Sequence, residues 1–200
     1  MPSSPARIPR IAVCLVTGVA SVDKQNFIRA LVAARPAAER WALLDNDDGG
    51  FARDAATLRL TVAAISGCAC CTGQVALQAG IAQLARQSRP QRLIIAAAGV
   101  AEPAALEHAL QQEDLARGIT IRHRLCVIAA QLLAALPPPG RELLQRQIVA
   151  ADHVVAASAA AAATLHAHGI SGVIQLEEAI RLVIADPAPA SSASSRRIAS

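Results

Sequence analysis

Three of the five cysteines in this 200-residue chain fall within four positions. Cys68, Cys70 and Cys71 form the segment Gly67-Cys68-Ala69-Cys70-Cys71, directly after the apolar run "RLTVAAI". Clustered thiols at a turn after a strand are a soft-metal ligand pattern, because thiolates prefer Zn²⁺ or Cu(I) over hard cations. Three thiolates leave a fourth coordination position for solvent, a carboxylate or a partner protein. The spacing Cys68-Ala69-Cys70-Cys71 is also a Cys-x-x-Cys spacing, so thiol redox chemistry stands as a second reading of the same turn. Cys14 and Cys126 lie inside apolar runs and read as buried small residues.

A second stretch with chemical potential is Gly18-Val19-Ala20-Ser21-Val22-Asp23-Lys24-Gln25. A phosphate-binding loop requires Gly, four residues, then Gly-Lys-Ser/Thr: the glycines let backbone N–H groups close on phosphate, Lys supplies charge and the hydroxyl holds Mg²⁺. Gly18 and Lys24 have that spacing, but Asp23 replaces the second glycine and Gln25 the hydroxyl residue. A carboxylate beside a triphosphate repels it, and Gln25 offers Mg²⁺ only an amide oxygen. Two readings of Lys24 follow, a residual anion contact or a solvated lysine in the first turn of a helix. Asn46-Asp47-Asp48-Gly49 is turn chemistry. His166 and His168 are two apart, on different faces of a helix, and read as surface residues. Glu102 reads as a charge at a helix N-terminus.

These residues need a scaffold, and the rest of the sequence describes one. The composition is 54% hydrophobic and 2% aromatic, so Ala, Leu, Val and Ile build the core. Strand-like runs at Ile11–Thr17, Trp41–Asp45, Arg59–Ile65, Arg92–Ala98, Arg124–Ala130, His153–Ser158 and Gly172–Leu176 alternate with helix-like stretches at Lys24–Ala34, Val75–Gln87 and Glu102–Gln112. Further helical stretches follow Pro137–Gly140, cover Ala159–His168 and close at Gly169, and run from about Glu177 to Ala185. The expected fold is α/β: three layers, a mostly parallel sheet with helices on both faces. Sites in such sheets form at the carboxyl ends of strands. Gly18–Lys24, Asn46–Gly50, Gly67–Thr72 and Gly99–Pro103 all follow strands, so one crevice receives all four. The expected division is a flexible segment 1–10, one domain over 11–186 and a disordered Pro/Ala/Ser tail over 187–200.

The order of these segments resembles the CobW-type nucleotide-binding domain of the P-loop metallochaperone GTPases, a group that includes the nickel-insertion GTPases of urease and hydrogenase (CobW/HypB/UreG-like). Gly67-Cys68-Ala69-Cys70-Cys71 is similar to that family's Gly-Cys-x-Cys-Cys motif. Asn46-Asp47-Asp48-Gly49 is similar to its Asn-Glu-x-Gly turn, and Gly99-Val100-Ala101-Glu102-Pro103 to its Gly-Leu-Ala-Asp-Pro turn. The resemblance implies a P-loop NTPase-like fold. It also implies a metal site at Cys68, Cys70 and Cys71, with Asp47 as a further candidate oxygen ligand, and a nucleotide site at Gly18, Lys24, Gln25 and Gly99. The family's acidic position before the second turn falls on Ala96, the Asp of an intervening strand on Ala129, and the guanine-reading Asn-Lys-x-Asp on Ala157, Ser158, Ala159 and Ala160.

The sequence therefore implies a CobW-like metal-binding metallochaperone or accessory protein, zinc being the expected metal, with GTP/Mg²⁺ sites impaired. An active atypical GTPase of the same family and a thiol redox protein are the alternatives. The implied partner is a client metalloprotein or accessory protein, and a homo-oligomer stays open. Scattered arginines and a net charge of +4 argue against nucleic acid. No apolar run reaches the roughly 18 residues of a membrane span. With no export signal read and an odd number of thiols, the expected location is the cytoplasm.

Overall fold

The computed structural model describes residues 10–47, 50–67 and 73–187. Cys68, Cys70, Cys71 and Asp48 lie outside the described residues, as do residues 1–9, expected to be flexible, and residues 188–200, expected to be disordered. In chain order the elements are β1 (Ile11–Thr17), α1 (Ser21–Ala33), β2 (Trp41–Asp45), α2 (Gly50–Leu58), β3 (Thr61–Ala64) and α3 (Gln74–Ser88). They continue with β4 (Arg92–Ala96), α4 (Pro103–Leu110), α5 (Glu113–Ala116), β5 (Ile119–Ile128), α6 (Leu132–Ala135) and α7 (Pro138–Val149). The last are β6 (His153–Ala156), α8 (Ala159–Ala167), β7 (Val173–Gln175) and α9 (Leu176–Ala185).

The strands form one sheet in the order β3-β2-β4-β1-β5-β6-β7, and every pairing is parallel. Parallel strands need crossovers, and the helices supplying them cover both faces. Alternate residues of each strand therefore feed two different cores. Val13, Leu15, Leu44, Leu93 and Ile95 pack with Leu77, Ile81 and Leu84 of α3 and Leu106 and Leu110 of α4. Cys14, Val16, Leu43, Ile94 and Leu125 meet Phe27, Ile28 and Leu31 of α1, Phe51 of α2 and Val183 of α9. A third cluster joins Cys126, Ile128 and Val154 to Leu144 of α7 and Leu165 of α8. Each fully buried large aliphatic contributes about 1.5–3 kcal/mol relative to exposure.

The sequence reading needs four corrections. Helix α1 begins at Ser21, three residues before the expected start. Helix α2 occupies a segment read only as a turn leading to a strand, and β3 shrinks to Thr61–Ala64. Its signal was the amphipathic run Phe51–Leu58, hidden between a polar turn and an apolar strand. Strand β5 starts at Ile119 and ends at Ile128, so two arginines and a histidine, Arg122, His123 and Arg124, lie within a strand. The short α5 and α6 have too few residues to show a period.

At the amino end of the sheet, a charged cluster fastens α9. The guanidinium of Arg92 is buried 5.2 Å from the Trp41 ring centroid, and its Nη2 donates to the Asp186 carbonyl at 2.7 Å. Arg122 and His123 reach the Asp186 carboxylate. The hydrogen bond from Arg122 holds the Asp186 carboxyl below its ordinary range. Burial pulls the His123 imidazole below its ordinary value, against the attraction of Asp186. Other arginines are also spent internally: Arg35 donates to carbonyls where α1 and α2 end, and Arg29, Arg124 and Arg146 pair with Asp54, Glu107 and Glu102.

Candidate functional site

The carboxyl ends of β1, β2, β3 and β4 converge, as the strand order requires. Gly18 leaves β1 at φ +131°, a conformation that favours glycine, and a Cβ there would lie 2.2 Å from the Val127 carbonyl oxygen. The chain then turns at once into α1, and the Lys24 N–H is already a helical donor to the Ala20 carbonyl at 3.2 Å. A phosphate loop keeps its amides open toward the ligand. Here the helix has consumed the end of that loop.

Lys24 is fully buried. Its Nζ donates to the Ala97 carbonyl oxygen at 2.6 Å and lies 3.2 Å from Oδ2 of Asp47. The solvated reading of Lys24 is thereby corrected: helix α1 starts early and carries the side chain inward, under the ends of β2 and β4. Asp47 is itself 3% exposed. Its Oδ1 accepts from the Ser21 hydroxyl at 2.8 Å, while Oδ2 faces Lys24 as a charge contact without hydrogen-bond geometry. The internal carboxylate thus stands where an anionic ligand of Lys24 would act. Asp23 adds a second carboxylate in the first turn of α1. Gln25 turns its amide toward Gly50, whose Cβ position would be 3.5 Å from Gln25 Oε1. A magnesium triphosphate does not fit this arrangement of charges.

Gly99 approaches the neighbouring loop closely; a Cβ there would be 3.0 Å from the Val19 carbonyl oxygen. Gln147 of α7, fully buried, donates from Nε2 to the carbonyls of Gly99 at 3.2 Å and Ala101 at 3.0 Å. Arg146 pairs with Glu102 on the same loop. The segment Gly99–Glu102 is braced from α7 by bonds that a sequence reading could not place. Glu102 stands at the N-terminal boundary of α4, as expected of a helix-start charge.

The region aligned with guanine recognition is a helix cap. Ser158 accepts at 3.1 Å from the Ala161 N–H and starts α8, while Ala157, Ala159 and Ala160 present only exposed methyl groups. Ala96 and Ala129 are buried and have no acid to offer. His166 and His168 are exposed at the end of α8, as read from their spacing. Burial pushes the thiols of Cys14 and Cys126 up to about 12, which makes them inert core residues.

The segment that precedes the cysteines is reached through β2 and β3. Asp45, 1% exposed, accepts from the Asp47 N–H at 3.0 Å and from the Phe51 N–H at 3.2 Å, fixing the turn and the start of α2. The Asp45 carbonyl accepts from the Ile65 N–H at 2.9 Å. Asn46 donates from Nδ2 to the Ile65 carbonyl at 3.2 Å and to the Gly67 carbonyl at 2.7 Å. Gly67, at φ +81°, is the last described residue before Cys68. Three of the four expected loop segments are therefore joined by side-chain bonds, Ser21 and Lys24 to Asp47 and Asn46 to Gly67, and the fourth lies on Val19. Among the described residues there is no group of three His, Cys, Asp or Glu that could hold a metal ion. Asp45 and Gln147 were missed by the sequence reading, and Asn46 was read only as part of the Asn46–Gly49 turn, with no partner assigned to it.

Fold and site define a P-loop-type α/β domain in which Lys24 meets the Ala97 carbonyl and the Asp47 carboxylate. The family model described as CobW/HypB/UreG, nucleotide-binding domain, matches residues 12–168, and the chain belongs to that family. It is 32% identical over 123 residues to the zinc chaperone YeiR of Escherichia coli (strain K12), covering 60% of this chain and 38% of that protein. The fold is similar to the Zn(II)-bound YjiA GTPase from E. coli, with TM-score 0.58 and 15% identity over 84% of this chain and 57% of that one. A Zn(II)-bound triple mutant of YjiA GTPase gives TM-score 0.60 at 18% identity, over 84% and 58%. The chain therefore spans about two fifths of the length of the chaperone it matches. Among the described residues no helix is long and apolar enough to cross a membrane.

Proposed function

We propose that this chain binds Zn²⁺ through Cys68, Cys70 and Cys71 and passes it to a client metalloprotein in the cytoplasm, with nucleotide binding and hydrolysis impaired. The observation that carries the reading is a contrast within one crevice. At the phosphate end, Lys24 is buried against Ala97 and Asp47. At the other end, Asn46 holds the carbonyls of Ile65 and Gly67 after β3, and the sequence continues into three closely spaced thiols. Similarity to a zinc chaperone supports the choice of metal.

The chemistry follows from the donor set. Three thiolates so close in sequence repel one another, so without a cation the thiols stay partly protonated, and metal entry releases those protons. Three protein ligands leave a fourth position through which a client thiol or imidazole enters and ligands exchange. Asp47 is a further candidate donor, and to reach the metal its carboxylate must exchange Ser21 and Lys24 for it. Residues 11–186 act as one unit in this reading.

Chromogenic-chelator competition tests it. The chain is expected to bind one Zn²⁺, to lose that binding in Cys70→Ser, and to retain it in Cys14→Ser and Cys126→Ser, whose cost falls on stability. Equal zinc affinity before and after Cys70→Ser removes the cysteine turn from the account.

A further inference from the structure

We propose that the amino ends of β2 and β3 carry an oxyanion site that takes a phosphate group, with the guanidinium groups of Arg59 and Arg89 as its ligands. The inference is independent of the zinc reading, because all its residues lie at the opposite end of the strands from the crevice.

The backbone gives the first sign. Among the described residues two that are not glycine have positive φ, and both are arginines: Arg59 at +48° and Arg89 at +45°. Each directly follows a helix, α2 and α3 respectively. The left-handed residue that ends a helix is usually Gly or Asn, because a longer side chain is disfavoured there. Both turns are held in place by further arginines. Arg35 donates from Nη2 to the Arg59 carbonyl at 3.1 Å, and Arg40 donates from Nε to the Arg89 carbonyl at 3.1 Å. Arg59 and Arg89 are themselves exposed, and neither guanidinium has a hydrogen-bond or charge partner among the described residues. Two arginines thus fix the main chain from which the other two project.

The turns border a cavity of about 660 Å³, whose lining includes Arg35, Glu39, Arg40, Trp41, Arg59 and, next to Arg89, Ser88. That is the size of a small-molecule site. Its charge is one-sided. Glu39 is the only carboxylate in the lining. It already accepts from Trp41 Nε1 at 2.7 Å and lies 3.6 Å from Nε of the buried Arg92. The C-termini of α1, α2 and α3 meet here, and each counts as about half a negative charge. Together with Glu39 they fall short of Arg35, Arg40, Arg59, Arg89 and Arg92, so the field in the cavity stays positive. Guanidinium forks match carboxylate and phosphate oxygens. Two forks on separate turns favour phosphate, whose oxygens face several directions, over a carboxylate, which presents one edge.

The test titrates the full chain with inorganic phosphate and, separately, with ribose 5-phosphate, at low salt because exposed charges are screened. Trp41 is the single tryptophan of the chain and lines the cavity, so its fluorescence reports occupancy there, while calorimetry reports binding anywhere. Both anions are expected to bind and to change the Trp41 emission. Ribose 5-phosphate binding more tightly assigns the site to a phosphorylated small molecule, and equal binding assigns it to the free ion; either result supports the proposal. Arg59→Gly and Arg89→Gly each remove a guanidinium and supply the residue that left-handed φ favours. Each should melt no lower than wild type and bind about tenfold more weakly, and the double variant should lose the emission change. Arg59→Lys, which keeps the charge without the fork, should fall between. Arg141→Ala, an exposed position on α7, controls for lost net charge and should bind as wild type does. Cys70→Ser should also leave anion binding unchanged, whatever it does to zinc. If neither anion binds wild type at millimolar concentration, or if the double glycine variant matches wild type in affinity and emission, the arginines only close helices and the proposal fails. Calorimetric binding that survives in the double glycine variant but is lost in Lys24→Met would place the anion in the crevice and overturn it equally.

Discussion

Lys24→Met removes a buried ammonium while keeping the volume of the side chain, and the structure fixes what that should cost. The Asp47 carboxylate loses its cationic neighbour at 3.2 Å, and the Ala97 carbonyl loses a donor at 2.6 Å. Removing one partner of a buried pair costs about 3–5 kcal/mol. Asp47 keeps its bond from Ser21, which places the loss near the lower end, about 3 kcal/mol. For a domain of this size that lowers Tm by roughly 6–12 °C. Asp47→Asn should cost less, about 1–2 kcal/mol, because Lys24 retains the Ala97 carbonyl. The double variant should fall short of additivity by about 1–3 kcal/mol, the signature of direct contact. Urea denaturation with a constant m-value measures all four corners of the cycle. A Lys24→Met chain within about 0.5 kcal/mol of wild type would refute the reasoning, since that is the behaviour of a surface lysine. The same chain binding phosphate less well would return Lys24 to the role of an open anion ligand.

Gly18→Ala should destabilise by on the order of 3 kcal/mol or more, because the new Cβ meets a backbone oxygen at 2.2 Å and φ is +131°; a thermal melt shows it. The amino-end cluster makes stability pH-dependent. The folded pKa of His123 lies below 6.5, so in the window beneath 6.5 the unfolded chain binds more protons and stability is lost as pH falls. Asp186, also depressed, adds a further loss below its ordinary 3.8. Urea midpoints between pH 5 and 8 should decline toward acid in the wild type and flatten in His123→Asn; a flat wild-type profile contradicts the placement of His123 against Asp186, Arg122 and Arg92.

The strands were legible because both sheet faces are covered. Ile11–Thr17 and Trp41–Asp45 are continuous apolar runs, and their observed bounds match the reading. The convergence of the loops followed from strand–helix alternation alone, and the family from the Gly-Cys-x-Cys-Cys motif with the Asn46–Gly49 and Gly99–Pro103 turns. What stayed hidden depends on direction. A sequence shows that Lys24 lies six residues after Gly18, but the early start of α1 at Ser21 decides that the side chain points inward. The partners of Asn46 are 19 and 21 residues away, and those of Gln147 are 48 and 46. No local period reports such bonds. Helix α2 was missed because its polar start reads equally well as a turn, and only Asp45, reaching six residues forward to Phe51, makes it a helix cap.

The position of β1 in the middle of the sheet has a kinetic consequence. Its neighbours are β4 and β5, so Ala12 pairs at the level of Arg92 and Thr120. During synthesis this run of apolar residues emerges before the other strands of the sheet and waits about 80 residues for its first lateral partner. At 5–20 residues per second, that is roughly 4–16 s with an unpaired, aggregation-prone strand exposed. Non-local pairing of this kind is slow even when the whole chain is available. The Lys24 ammonium shares the delay, since Ala97 follows β4. A nascent chain therefore lacks the Ala97 contact of Lys24 and the first lateral partner of β1 until β4 has been made, and both come in one event, the insertion of β4 between β1 and β2.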